Sequence, residues 1–171
     1  MEECCKERIE QSGSGEADAN RIDDQSAVKV LQDGGWQVSV VDISEVAISR
    51  LNQEALQLNL TLDLFAFDAS EYKFEPAQFD LIVLFYHFDR NLCSRIVSAL
   101  KPGGFLISKT SLRWDSDEIP AAMSTDSLKR NEILSLVPEL CVMYHRERPV
   151  GNRGVVEFVG RKYEVAHELS I

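Results

Sequence analysis

The chain has 171 residues, enough for one domain with a real core and too few for two ordinary ones. Hydrophobic residues make up 44% and charged residues 27%, a globular composition that excludes general disorder. A net charge of −10 works against nonspecific binding to nucleic acid or to an anionic membrane, since either needs a positive field.

No apolar run is long enough to span a bilayer, and the N-terminus lacks the apolar core of a signal peptide, so a cytoplasmic location is expected. Cys4, Cys5, Cys93 and Cys141 show no Cys-x-x-Cys spacing, and His87, His145 and His167 are equally scattered. No metal site is expected, and Cys93 and Cys141, set among apolar residues, read as reduced core thiols.

Residues 1–26 hold eight acids against three bases and few large apolar side chains. They read as a polar, disordered N-terminal arm preceding a single domain at 27–171. Ala27, Val28, Val30 and Leu31 recur at helical spacing before the Gly34-Gly35 break. Residues 38–43 form a strand. Ser44 then caps a helix reaching Leu58, with Val46, Ile48, Leu51, Ala55 and Leu58 as its inner face.

The next strand covers residues 60–67 and ends on Asp68, and Phe65, Phe67 and Phe74 read as a core group. Residues 79–86 are almost continuously apolar, as in a central parallel strand covered on both faces. A helix at 90–100, with Leu92, Ile96, Val97 and Leu100 facing inward, leads into a tight turn at Lys101-Pro102-Gly103-Gly104 and a strand at 105–108. A helix at 127–136 stops before Pro138. Strands at 140–146 and 155–161 then form an antiparallel hairpin. The fold class is α/β: a Rossmann-like, mostly parallel sheet with helices on both faces and a C-terminal antiparallel hairpin.

Asp42 is the most informative residue. An acid at the carboxyl end of such a strand can accept both ribose hydroxyls of a nucleotide-like cofactor, and it also suits the positive end of the helix that follows. Three segments extend the reading: Gly35-Trp-Gln-Val-Ser-Val-Val-Asp-Ile-Ser44, Phe79-Asp-Leu-Ile-Val-Leu-Phe-Tyr86 and Leu100-Lys-Pro-Gly-Gly-Phe-Leu-Ile107. In order and spacing, the chain from Gly34 to Tyr163 resembles the class I S-adenosylmethionine-dependent methyltransferases. Within that class it resembles the small tellurite-resistance-type group.

The resemblance implies S-adenosyl-L-methionine as cofactor and a small-molecule methyl acceptor. Asp42 matches the ribose-binding acid, with Ile43 packing on adenine. Asp68, with Ala69 beside it, matches the residue that accepts from the adenine amino group. Phe85 lies on the cofactor side at the end of the fourth family strand, where Tyr86 and His87 become catalytic candidates as base or acceptor-orienting pair. Arg90 and Trp114 are candidates for holding the acceptor. The family's first motif is altered. Gly13-Ser14-Gly15-Glu16-Ala17 stands where its glycine loop would lie, after a segment too polar for a central strand. The first strand is therefore expected to be missing, displaced or replaced. A second reading stays open beside the enzyme: a relative without turnover, serving as a binding or oligomerisation module, such as a homodimer paired through an exposed sheet edge.

Overall fold

The computed structural model describes residues 34–113, 127–150 and 153–163. The expected polar arm, the helix ahead of Gly34, Gly13, Gly15 and Trp114 fall outside the described residues. The chain divides into two compact units, Met1–Tyr72 and Lys73–Ile171.

In the first unit, strand β1 (Val38–Asp42) and strand β2 (Leu62–Ala66) pair in parallel, with Val38 opposite Leu62 and Asp42 opposite Ala66. Helix α1 (Glu45–Leu58) connects them. Ser44 caps it as its sequence predicts, accepting from the Ala47 N–H at 3.2 Å. The other end closes on Asn59, which takes a left-handed conformation (φ 54°). The Leu60 N–H then donates to the Ala55 carbonyl at 2.8 Å. Of the expected inner face only Leu51 and Ala55 are buried; Val46 and Leu58 are exposed, as is Leu56. Among the described residues the first unit offers two strands to this helix, too few to cover its whole apolar stripe. Phe65, Phe67 and Tyr72 form an aromatic cluster with ring centroids 5.7 to 6.4 Å apart. Phe74, expected with them, belongs to the second unit. There its ring stands edge-on to Phe79 at 6.5 Å, under the guanidinium of Arg95.

The second unit is built on one four-stranded sheet of order β3-β4-β6-β5. Strand β3 (Phe79–Phe85) runs parallel to β4 (Leu100–Leu112), and β5 (Leu140–Val150) and β6 (Arg153–Lys162) form the expected antiparallel hairpin. The inner strand of that hairpin is β6, the last of the described strands, which pairs with both β4 and β5. One face of the ladder is closed. Leu106, Ser108, Thr110 and Leu112 stand opposite Gly160, Phe158, Val156 and Gly154, and all eight residues are buried. On the other face Phe105, Ile107 and Lys109 stand opposite Arg161, Val159 and Glu157, all half-buried. Glu157 there accepts from Arg148 at 3.0 Å and faces the Lys109 ammonium at 3.9 Å.

Several expectations are corrected in this unit. No residue of β3 is fully buried. The strand has β4 on one side and, among the described residues, no strand on the other. The helix expected at 90–100 begins as a single 3₁₀ turn, Arg90–Leu92, before helix α2 (Cys93–Ala99), and Leu100 already belongs to β4. Its inward residues are as expected, with Leu92, Ile96, Val97 and Leu100 all buried. Lys162 closes the far end of α2, its ammonium donating to the carbonyls of Val97, Ser98 and Leu100 at 2.8, 3.2 and 2.7 Å. The helix expected from Ser127 is only Glu132–Leu136, helix α3. Leu128 is instead drawn into a bridge with Leu112, and Asn131 is left-handed (φ 56°), so a helix cannot begin earlier.

The expected turn at Lys101-Pro102-Gly103-Gly104 is an insertion within β4. Phe79 pairs with Leu100 and Leu81 with Phe105, so one residue of β3 faces four of β4. Gly103 adopts φ 80°. Gly104 is pinched: a Cβ there would lie 2.9 Å from the Lys101 carbonyl oxygen and 3.1 Å from that of Asp80. Both are backbone atoms and cannot swing aside. We therefore expect Gly104→Ala to lower unfolding free energy by about 1–3 kcal/mol, the usual range for an overpacked site, measured by urea denaturation.

Candidate functional site

The candidate residues sit in the turns that follow β1, β2 and β3, each with a parallel neighbour in its own unit, and one local device builds each turn. An aspartate carboxylate accepts the backbone N–H two residues on, forming an Asx turn that ends the strand and starts the next element. Asp42 ends β1 and its Oδ1 accepts from the Ser44 N–H at 2.7 Å. Asp68 follows β2 and its Oδ1 accepts from the Ser70 N–H at 2.8 Å, opening the 3₁₀ turn Ala69–Glu71. Asp89 follows β3 and its Oδ1 accepts from the Asn91 N–H at 2.8 Å.

In the first unit, Asp42 and Ile43 share one turn, and Asp68 and Ala69 lie two and three residues beyond Ala66, the register partner of Asp42. The Asp42 carboxylate is half-buried. Its Oδ1 is fixed by Ser44, and Oδ2 has no protein partner among the described residues. Ile43 is 71% exposed, an apolar side chain beside a fixed carboxylate. That pair can receive a ligand carrying a diol next to a flat apolar ring.

In the second unit, Phe85 ends β3, half-buried, and Tyr86 follows with a left-handed backbone (φ 53°). The Tyr86 N–H still donates to the Lys109 carbonyl at 2.8 Å, and this last ladder bond holds the strained residue in place. A left-handed conformation costs a bulky L-residue about 1–2 kcal/mol. Strain of this kind persists where surrounding contacts over-determine it, and it concentrates at working sites. The side chain of Tyr86 is 48% exposed and His87 is exposed beside it, while the next residue, Phe88, is buried and anchors the turn.

Arg90, a sequence candidate for holding an acceptor, has much of its guanidinium engaged elsewhere. Its Nε donates to Glu132 Oε1 at 2.6 Å, and its Nη2 donates to Glu132 Oε2 at 3.0 Å and to the Ser127 carbonyl at 3.1 Å. That bidentate fork is the strong form of the pair. The Arg90 hydrogen bond, helped by the Lys129 N–H at 2.6 Å, holds the Glu132 carboxyl below the ordinary glutamate range against the opposing effect of burial. Burial, and next the nearby Asp89 carboxylate, pushes the Cys93 thiol up to about 11, so it is an inert core thiol as its setting suggests. Among the described residues no group of three or more His, Cys, Asp or Glu gathers as a metal site. No helix among them is long and apolar enough to cross a membrane.

Sequence reasoning missed Asp89 and Glu132. The spacing Asp-x-Ser at Asp42 and Asp68 repeats as Asp-x-Asn at Asp89, which is a readable signal. The Arg90–Glu132 pair spans 42 positions and left no local trace.

Comparison with known proteins follows from this geometry. The family described as "Methyltransferase domain" matches residues 25–104. A search of curated proteins gave no match. Among solved structures, the [4+2]-cyclase SpnF is similar with a TM-score of 0.68 and 14% identity, over 83% of this chain and 72% of that one. TehB from Haemophilus influenzae is similar at 0.63 and 17%, over 75% of this chain, which spans 50% of TehB. The N-methyltransferase NodS from Bradyrhizobium japonicum WM9, solved with S-adenosyl-L-homocysteine, is similar at 0.58 and 20%, over 75% of this chain and 67% of that one.

Two measurements test the site's construction. Because Tyr86 is left-handed, we expect Tyr86→Gly to be more stable than Tyr86→Ala by about 1 kcal/mol in urea denaturation, the reverse of the usual order. Glu132 titrates lower in the folded than in the unfolded chain, so its contribution is full above the ordinary glutamate range and is lost as pH falls through the lowered value. Wild type should therefore exceed Glu132→Gln by about 0.5–1 kcal/mol at neutral pH, a gap that closes in acid. Parallel strands, the antiparallel hairpin and the strand-end turns together give this chain the class I methyltransferase fold.

Proposed function

We propose that this chain is an S-adenosylmethionine-dependent methyltransferase acting on a small-molecule acceptor. The cofactor is indicated by the methyltransferase-domain match over residues 25–104 and by the fold. The observation that carries the reading is Asp42: a strand-end carboxylate fixed through one oxygen by Ser44, with the other unpartnered among the described residues, beside the exposed Ile43. This pairs the acceptor a ribose diol requires with an apolar surface for an adenine ring.

Asp42 would accept from the ribose hydroxyls while Ile43 packs against the base, and Asp68 with Ala69 would meet the adenine edge. Gly13 and Gly15 are assigned to the methionine part by the sequence resemblance. When bound, the cofactor supplies a methyl group on a positively charged sulfur, open to in-line displacement. The chain's own task is then to bring the acceptor up in line and hold it there, which supplies much of the acceleration. Tyr86 and His87 suit that task. Both are exposed, and the turn bearing them is held by the Tyr86 N–H and by the buried Phe88. His87 can take the acceptor's proton where the acceptor carries one. The tellurite-type resemblance favours a small, soft nucleophile, and the charge of −10 disfavours nucleic acid.

Calorimetric titration with S-adenosylhomocysteine tests the reading. We expect saturable binding by the wild-type chain. Asp42→Ala removes a hydrogen bond to a charged acceptor worth about 1.5–3 kcal/mol, so affinity should fall by roughly one to two orders of magnitude. A folded wild-type chain that gives no heat would overturn the assignment.

A further inference from the structure

The turn at residues 86–89 carries both catalytic candidates, and several contacts hold it in register. The Tyr86 N–H reaches Lys109, Phe88 is buried, and Asp89 caps the next turn. Arg90 adds a reach to a distant segment, through the fork to Glu132 and the bond to the Ser127 carbonyl.

That segment is itself fastened to two strands and braced within. Leu128 exchanges backbone hydrogen bonds with the end of β4, its N–H donating to Ser111 at 3.0 Å and its carbonyl accepting from Arg113 at 2.7 Å. The Asn131 N–H donates to Glu147 Oε1 on β5 at 2.6 Å. The Lys129 N–H donates to Glu132 Oε2 at 2.6 Å, which fixes the glutamate rotamer before Arg90 is counted. Glu132 thus has both oxygens engaged, and its side chain is only 18% exposed. It stands on a frame secured to two strands, and the fork carries that fixity to the residue just after the candidate turn.

We propose that Glu132 is a positioning residue for the acceptor side of the site, acting through Arg90 to hold the 86–89 turn. The proposal rests on the methyltransferase reading for its functional meaning, while the latch is measurable without it. Glu132 touches neither acceptor nor cofactor. Its carboxylate fixes the guanidinium, and the guanidinium fixes the backbone that presents Tyr86 and His87. Lysine cannot replace Arg90 here, because it offers a point charge in place of a planar fork.

The test is amide hydrogen exchange on the full chain, with Tyr86, Asn91 and Leu92 as reporters, since each donates a bond within or beside the turn. Wild type is compared with Glu132→Gln, Arg90→Lys and the charge swap Arg90→Glu/Glu132→Arg. In both single variants we expect exchange at the three reporters to rise about two- to fivefold, the factor that matches the stability gap expected for Glu132→Gln, and to stay well ahead of the β4 and β6 amides, the pattern of local opening. The charge swap should return part of the protection. Affinity for S-adenosylhomocysteine should stay within about threefold of wild type, because the residues proposed to hold it lie elsewhere. Unchanged reporters, reporters that exchange no faster than the sheet amides, or a swap that restores nothing would each overturn the latch. A wild-type chain that binds no S-adenosylhomocysteine, yet shows the local pattern, would remove the methyltransferase reading and leave the latch standing.

Discussion

The second unit depends on one constraint, the double pairing of β4 with a parallel strand on one side and an antiparallel strand on the other. Alternation along β4 places Leu106, Ser108, Thr110 and Leu112 on a single closed face. The hairpin brings Val156 and Phe158 to the same face, and Leu128 and Ile133 are among the other fully buried side chains of the unit. Because side chains alternate with period two, a slip of one residue in the β4–β6 register would turn this whole set toward the half-exposed side. Lys109 and Glu157 would then enter the core as charges. The register is thus specified by what each face can tolerate, and β3 inherits its own register from β4.

The turns after β1, β2 and β3 use the same solution to a general difficulty. A parallel strand that stops leaves backbone donors without ladder partners, and an aspartate supplies an acceptor at once. The same carboxylate leaves a second oxygen at the end of the strand. A structural necessity therefore lines the carboxyl ends of the strands with acids, and ligand binding in open α/β sheets occurs at those ends. The fold alone does not select a reaction. A [4+2]-cyclase is among its similar structures, so the chemistry must be argued from the side chains after each strand.

Much of this was legible locally. Ser44 announced its helix, the apolar run at 79–85 announced β3, and the two C-terminal apolar segments announced a hairpin. Asp42 and Asp68 were legible because strand-end acids have a stereotyped offset from the last apolar residue. What escaped depends on partners far along the chain. The four residues at 101–104 looked like a turn because Pro and Gly commonly punctuate, yet pairing with β3 across the insertion keeps them within a strand. The helix start at Glu132 was displaced from Ser127 because Leu128 is captured by β4. The stripe on α1 predicted more burial than the two described strands of its unit supply. The Arg90–Glu132 fork, the Lys162 cap on α2 and the left-handed Tyr86 are all products of tertiary geometry, without a local pattern to reveal them.

The position of β6 has a consequence for how the unit assembles. The strand that follows β5 in the chain lies inside the sheet, so, among the described residues, β5 has no neighbour to pair with until β6 is available. Until then the hydrophobic side of β4 stays uncovered along one edge, and the end of α2 lacks the ammonium that closes its carbonyls. Pairings of β4 with β6 that span 42 to 56 positions, from Leu112–Gly154 to Phe105–Arg161, must form before the sheet is complete, which favours slow, late consolidation over sequential growth. A chain that stops short of β6 would expose β4 as a template for foreign strands, a hazard that disappears only when β6 slides into place.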